Sequence, residues 1–237
     1  MSILELKDIV KNYSTKTVLN NINLNVEEGE VFGLIGLNGA GKTTMIKTIL
    51  HLITQNAGSI KICGIDTKET KSRQNVSYLP EKFQPSQQLK VVEFIKIFSN
   101  KENFNIKEVE RLCEILDLDK KVLNKKISSL SKGMSQKVGL ISSFIDNRKL
   151  VILDEPMSGL DPKARINLKN LLLEYRDNGN SIFFSSHILA DIDEICDRIA
   201  VLNNGKIQFI GTPNELKNKY NINSLEKAFL KEIEKTL

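Results

Sequence analysis

The chain has 237 residues, of which 41% are hydrophobic and 27% are charged, and its formal net charge is +5. This composition is typical of a globular protein and excludes a disordered chain or a fibrous repeat. The sequence contains no apolar run of about 18 residues, and it does not begin with a signal-peptide pattern. Its three cysteines are widely spaced among apolar neighbours. We therefore expect a cytoplasmic protein without disulfides.

The excess of positive charge is confined to one segment. Residues 82–137 contain 12 lysines and arginines against 7 acidic residues, and the rest of the chain is balanced. An ordinary solvated surface explains such an excess, and so does a segment that faces a membrane or a nucleic acid. The charge alone does not decide between these interpretations.

The chain begins with strand patterns. Alternating apolar residues predict strands over 3–10 and 17–26, and the nearly unbroken apolar run 31–35 predicts a strand buried on both faces. A glycine-rich turn and a helix from Gly41 to about Leu52 follow, and then strands over 58–62 and 76–79.

Residues 82–146 change to apolar residues at helical spacing, which predicts an inserted helical lobe. From residue 149 strands and helices alternate, and Asn203-Asn204-Gly205 predicts a hairpin turn. A tail from residue 213 contains a last helix that Ser224 caps. We expect an α/β fold with its core in 1–81 and 147–212, the helical lobe in 82–146, and the helical tail in 213–237.

The glycine-rich turn carries a phosphate-binding motif. Gly36-Leu37-Asn38-Gly39-Ala40-Gly41-Lys42-Thr43-Thr44 matches G-x-x-x-x-G-K-[ST] between a buried strand and a helix. In this context backbone N–H groups and the helix N-terminus converge on phosphates. Lys42 is expected to contact the β- and γ-phosphates, and the Thr43 hydroxyl to bind Mg²⁺. The alternative is a glycine turn that only caps a helix.

A second acidic motif follows the apolar strand 150–153. Asp154 and Glu155 come where that strand ends, and ligands of open α/β sheets bind at the carboxyl ends of the strands. An acid at the position of Asp154 can hold Mg²⁺ through water, and Glu155 can polarise an attacking water. Alone this pair is weak evidence, but together with the phosphate-binding turn it predicts a nucleotide site.

Four further motifs make the sequence from about Leu4 to Gly211 resemble the ATP-binding subunits of ABC transporters. Leu130-Ser131-Lys132-Gly133-Met134 stands at the position of the family's Leu-Ser-Gly-Gly-Gln signature. Ser158-Gly159-Leu160-Asp161 matches the D-loop, and Ser185-Ser186-His187 matches the segment with the switch histidine. Tyr13 stands where the family stacks an aromatic ring on adenine.

The resemblance implies a P-loop core with a mixed sheet, N-terminal antiparallel strands and the helical lobe. It also implies two cassettes, identical or different, that hold two ATP-Mg²⁺ between them and drive a separate membrane permease in an exporter-like system. The chain would then lie at the inner face of the cell membrane.

The implied ATP-binding residues are Tyr13, Gly36, Leu37, Asn38, Gly39, Ala40, Gly41, Lys42, Thr43 and Thr44. The implied Mg²⁺ ligands are Thr43, Glu81 and Asp154, and the implied catalytic residues are Glu155 and His187. The implied contacts to the other cassette's ATP are Ser131, Lys132, Gly133 and Met134, with Asp161 in the D-loop.

The sequence departs from the family pattern at two places. Lys132 replaces the first signature glycine and Met134 the glutamine, while Ser131 and Gly133 remain. Glu81 stands where a glutamine is usual, and a carboxylate oxygen can bind Mg²⁺ as an amide oxygen does. The sequence leaves the consequences for turnover open.

Alternatives remain for single residues and for the function. His187 could cap a helix, and Tyr13 could be ordinary surface. The resemblance implies that a permease helix docks at the junction of core and lobe, with Phe83 as an apolar anchor, but Phe83 could instead pack in the lobe's own core. A soluble ABC ATPase acting on nucleic acid or ribosomes is the first functional alternative. Such proteins generally fuse two cassettes or carry long coiled coils. This sequence has one cassette and no sustained heptads, so we expect no nucleic acid partner. A nucleotide-gated binding or immunity module with little turnover is the second, and Glu155 speaks against it.

Overall fold

The computed structural model describes residues 1–99 and 104–235, so the predicted lobe and tail each include a few residues outside the description. The strands are β1 (Ser2–Tyr13), β2 (Lys16–Glu27), β3 (Val31–Ile35), β4 (Ala57–Ile62), β5 (Ile65–Asp66), β6 (Val76–Leu79), β7 (Leu150–Asp154), β8 (Ser181–Ser186), β9 (Arg198–Asn203) and β10 (Lys206–Gly211). The helices are α1 (Lys42–Ile49), α2 (Val91–Phe98), α3 (Ile106–Ile115), α4 (Lys132–Phe144), α5 (Pro162–Asp177), α6 (Leu189–Ile195), α7 (Pro213–Lys219) and α8 (Leu225–Glu234). Short 3₁₀ turns occupy Thr70–Asn75, Lys120–Asn124 and Ile127–Ser129.

The strands form two sheets. A four-stranded antiparallel sheet has the order β2-β1-β4-β5, and a six-stranded sheet has the order β10-β9-β3-β8-β7-β6. All neighbours in the second sheet pair in parallel except the β9–β10 hairpin. The expected α/β fold, with its mixed sheet and N-terminal antiparallel strands, is confirmed.

The central strands are buried on both faces, as the apolar residues of β3 and β7 predict. Every residue of β3, β7 and β8 is buried. One face of the six-stranded sheet packs on α1 and the antiparallel sheet. The other face packs on α5, α6 and α8. Helix α1 therefore lies between two layers, which fixes the position of the turn before it.

The segment 82–146 contains helices α2–α4, but its core is continuous with that of the sheet. Phe94 on α2 and Ile141 on α4 belong to the same buried cluster as Val151 and Leu153 on β7. The boundary between core and lobe stays a prediction. Across the described residues, the structure has no helix long and apolar enough to cross a membrane.

The first predicted helix is shorter than expected, and His187 does not have the capping role considered as an alternative. The first helix ends at Ile49 rather than near Leu52, since His51 takes a positive φ of 52° that stops the helix. Helix α6 begins only at Leu189, and its N-cap residue is Ile188. His187 is therefore outside that helix and does not cap it.

Candidate functional site

Three segments that are far apart in sequence meet at one edge of the six-stranded sheet. The parallel register sets Ile35 opposite Ser186, and Asp154 opposite Ser185. The turn after β3, the acids at the end of β7 and the histidine after β8 therefore emerge together. They enclose a cleft of about 400 Å³. Its lining consists of Val18, Leu37, Asn38, Gly39, Gly41, Lys42, Thr43, Thr44, Glu81, Glu155, Ser158 and His187.

The turn between β3 and α1 needs glycine at two positions. A Cβ at Gly36 would lie 2.5 Å from the carbonyl oxygen of Leu202, and Gly41 has a φ of 112°. Gly41 is the N-cap of α1 and has no side-chain oxygen for the first N–H groups of that helix. Free N–H groups and the helix dipole favour an anion at this end.

The carboxylate of Glu155 links the turn after β3 to the segment after β8. Its Oε1 lies 3.5 Å from Nζ of Lys42, and its Oε2 lies 2.7 Å from Nδ1 of His187. Lys42 also donates a 2.8 Å hydrogen bond to the carbonyl oxygen of Gly36. Glu155 and Lys42 are buried, whereas 56% of the His187 side chain is exposed. The cleft therefore holds a fixed cation, a fixed carboxylate and a solvent-facing imidazole.

Asp154 lies fully buried beside Glu155. Its Oδ1 accepts a 2.6 Å hydrogen bond from the hydroxyl of Ser185, and its Oδ2 has no partner among the described residues. Burial, together with the charges of Asp154 and Glu81, raises the pKa of Tyr78 to about 12. Tyr78 on β6 therefore stays a neutral phenol close to both acids.

The residues predicted to bind Mg²⁺ suit a hard cation. Thr43 and Glu81 line the cleft, and the free Oδ2 of Asp154 is an orphaned buried oxygen beside it. The described residues contain no group of three or more His, Cys, Asp or Glu that could hold a metal. The oxygens of Thr43, Glu81 and Asp154 nevertheless match Mg²⁺ in nucleotide sites, because that ion keeps few protein ligands and takes the rest from phosphates and water.

The signature segment lies away from this cleft. Ser131 is the exposed N-cap of α4, and its hydroxyl accepts a 3.2 Å hydrogen bond from the N–H of Met134. A Cβ at Gly133 would lie 3.3 Å from the carbonyl oxygen of Gly159, so signature and D-loop touch in one chain. Lys132 is also exposed, and its Cε lies near Gly159.

Asp161 forms the N-cap of α5 at the end of the D-loop. Its Oδ1 accepts a hydrogen bond from Ala164 N–H, and this bond together with Lys137 lowers the pKa of the Asp161 carboxyl. Nζ of Lys137 on α4 lies 3.8 Å from its Oδ2. The D-loop is thereby tied to the signature helix.

Some predicted residues lie outside the cleft, and some lining residues were not predicted. Tyr13 is 47% exposed at the end of β1 and does not belong to the lining, with Lys11 Nζ 4.9 Å from its ring centre. Ala40 belongs to the turn but is buried in the core and does not line the cleft. Val18 and Ser158 do line the cleft. Val18 has the pattern of an ordinary strand residue, so nothing in the sequence marks it.

Residues 19–158 match the protein family described as ABC transporter. The chain is 36% identical over 227 residues to an uncharacterized ABC transporter ATP-binding protein of Synechocystis, covering 91% of this chain and 64% of that protein. It is 31% identical over 222 residues to the Nod factor export ATP-binding protein I of Rhizobium etli, covering 91% of this chain and 70% of that protein.

A solved structure shows the same fold. It is the ATP-binding subunit of an ABC transporter, 32% identical, with a TM-score of 0.89 over 97% of this chain and 99% of that one. The likeness therefore extends over nearly the whole of this chain.

Proposed function

The chain belongs to the ABC transporter family as an ATP-binding ATPase subunit, and from this premise we propose how it works: two cassettes enclose ATP-Mg²⁺, hydrolyse it and drive a separate membrane permease. The observation that carries the proposal is the carboxylate of Glu155, held between Lys42 and His187 inside the cleft. Each of these three groups has a distinct task in phosphoryl transfer.

Glu155 is the group that orients and polarises the attacking water. Its burial and its contacts with Lys42 and His187 hold the carboxylate in one place, and a positioned base contributes about 100-fold or more to such a reaction. Lys42 and the N–H groups at the start of α1 bind the β- and γ-phosphates. His187, on the solvent side, contacts the γ-phosphate as charge develops on it.

Thr43, Asp154 and Glu81 would hold the metal. Bound Mg²⁺ supplies charge neutralisation on the phosphate oxygens. We assign the Thr43 hydroxyl and the free Oδ2 of Asp154 first as metal ligands. Thr43 lines the cleft, and Oδ2 of Asp154 is buried beside it without a partner among the described residues. Glu81, which also lines the cleft, would add a second carboxylate.

The signature supports a site that is shared between two cassettes. Ser131 and Gly133 lie outside the lining of the chain's own cleft, on an exposed helix start. We propose that they contact the nucleotide of a second cassette, with Lys132 and Met134 beside them. This second cassette is a copy of the same chain or a related one.

A groove at the junction of β6, α2 and α4 is the proposed docking place of the permease. It has a volume of about 500 Å³, and its lining includes Tyr78, Pro80, Phe83, Phe94 and Phe98. Docking there places the chain at the inner face of the membrane. The Rhizobium relative is named for export, and we propose export as the direction.

The central experiment measures ATP hydrolysis and mass. We expect the purified chain to hydrolyse ATP with Mg²⁺, and the Glu155→Gln variant to form a dimer in light scattering only when ATP-Mg²⁺ is present. Glu28→Gln, which removes an exposed carboxylate, is the matched control. A mass unchanged by nucleotide at high protein concentration would contradict self-dimerisation and favour pairing with a different cassette.

A further inference from the structure

The hydroxyl of Ser185 contacts both acids at the end of β7. It donates a 2.6 Å hydrogen bond to Oδ1 of Asp154 and accepts a 3.0 Å hydrogen bond from the backbone N–H of Glu155. Ser185 has no exposed surface, so water does not compete for these bonds. One hydroxyl thus uses its donor and one acceptor on the two residues to which we assign metal binding and catalysis.

The contact to Glu155 acts on a strained backbone. Glu155 has a φ of 52°, a left-handed conformation that a non-glycine residue rarely adopts. This conformation turns the chain after the strand and sets the Glu155 carboxylate beside Lys42 and His187. The hydrogen bond to Ser185 holds the N–H of the strained residue, and it therefore fixes the point from which the side chain extends.

The contact to Asp154 selects which oxygen remains available. Because Ser185 occupies Oδ1, the carboxylate cannot rotate without breaking a short buried bond. Its Oδ2 is the atom without a partner among the described residues. The hydroxyl therefore holds Asp154 with one oxygen left free, and this oxygen would be available to Mg²⁺ or to its bound water.

We propose that Ser185 is a positioning residue that sets both acids in their working geometry through one hydroxyl. This inference rests on the proposed function. Partners that orient metal ligands typically contribute 10- to 100-fold to metal affinity or activity.

The chain offers a matched control on the same strand. Ser181 is also buried, and its hydroxyl accepts a 2.9 Å hydrogen bond from Gly29 N–H and donates one of 3.3 Å to the carbonyl oxygen of Glu27. Ser181→Ala therefore removes a buried two-partner hydroxyl at the other end of β8. It touches neither acid.

The experiment compares Ser185→Ala with Ser181→Ala in three measurements. For Ser185→Ala we expect kcat to fall about 10- to 100-fold with KM for ATP changed less than about 3-fold. We expect the gain in affinity for a fluorescent ATP analogue on adding Mg²⁺ to shrink about 10-fold, with affinity in EDTA unchanged. Both substitutions should lower the melting temperature, whereas Ser181→Ala should leave the kinetic and Mg²⁺ measurements unchanged.

Ser185→Thr keeps the hydroxyl and should restore most of the lost rate, which a merely structural role would not require. If Ser185→Ala does not fold, Ser185→Cys replaces it, since a thiol fills similar space but donates weakly. Equal behaviour of the Ser185 and Ser181 variants would overturn the proposal. A wild-type chain without ATP hydrolysis would instead refute the proposed function, and the Mg²⁺-dependent binding would still decide the role of Ser185.

Discussion

The Oε2 of Glu155 lies 2.7 Å from Nδ1 of His187, although 32 positions separate the two residues in the chain. The same carboxylate reaches Lys42 through its other oxygen at 3.5 Å. One buried acid therefore connects the motifs that follow β3 and β8. A change at Glu155 removes both contacts at once, while a change at His187 or Lys42 removes only one.

We expect Glu155→Gln to keep ATP affinity within about 3-fold and to lower kcat by at least about 100-fold, the scale of losing a positioned base. The amide keeps the shape of the side chain but cannot polarise water as a carboxylate does. Phosphate release and fluorescent-nucleotide titration measure the two quantities. The control is again Glu28→Gln, and a variant that still turns over near the wild-type rate would remove Glu155 from the chemistry.

Lys42→Ala and His187→Ala should separate ground-state binding from turnover. Lys42 is buried in the cleft and would contact phosphates as soon as ATP binds, so its loss should abolish binding. His187 is largely exposed and would act as charge develops, so its loss should spare binding and abolish turnover. Nucleotide titrations and hydrolysis rates test this.

Lys47→Ala, on the exposed face of α1, is the control for the loss of a positive charge from the same helix. It should change neither quantity. If Lys42→Ala and His187→Ala lose affinity equally, His187 binds ATP in the ground state, which contradicts the proposal that it acts as charge develops on the γ-phosphate.

The fold and the position of the site could be predicted because their determinants are local. The apolar runs of β3 and β7 indicate strands buried on both faces. Gly36 and Gly41 indicate a tight turn between β3 and α1. Parallel strands then bring their carboxyl ends to one edge. These steps need only residue types and spacing.

Other features depend on packing between distant segments and could not be predicted. The bond from Ser185 to Asp154 needs the register of β7 against β8. The place of Val18 in the cleft needs the antiparallel sheet docked beside the turn. The motif position of Tyr13 likewise says nothing about the orientation of its ring, and the ring lies outside the lining.

Glu30 should make the free energy of unfolding depend on pH. Burial is the largest effect and raises the pKa of Glu30 above 4.5, although the Glu27 N–H bond and Arg198 act in the opposite direction. The folded state then holds this proton more tightly than the unfolded state. The contribution of Glu30 to stability is therefore greatest below pH 4.5 and falls as pH rises through the folded pKa.

Glu30→Gln removes this titration. We expect the free energy of unfolding of the wild type, minus that of the variant, to decline from pH 4.5 upward and then to level off. Urea denaturation at a series of pH values measures it, and Glu28→Gln should leave the slope of the wild type unchanged. A difference that rises with pH would mean that the pair with Arg198, at 3.2 Å, outweighs burial.

Phe83→Ala should weaken binding of the permease and leave ATP affinity unchanged. Phe83 is half-buried, and its ring meets that of Phe94 edge-on at 5.5 Å while its free side lines the groove. The side chain thus packs in the chain's own core and also presents apolar surface outward. Because only part of the ring is buried in the chain, we expect a loss of stability of about 1–2 kcal/mol, below the cost at a full core position.

The measurement is co-purification of the membrane subunit with tagged chain from detergent-solubilised membranes, with ATP affinity and melting temperature measured on the isolated variant. Leu230→Ala truncates an exposed apolar side chain on α8, which does not line the groove, and serves as the control. We expect Phe83→Ala to reduce the captured membrane subunit at least about 10-fold, which corresponds to losing about 1.4 kcal/mol of binding. Full capture, or a loss of capture that merely follows unfolding, would assign Phe83 to internal packing and remove it from the docking surface.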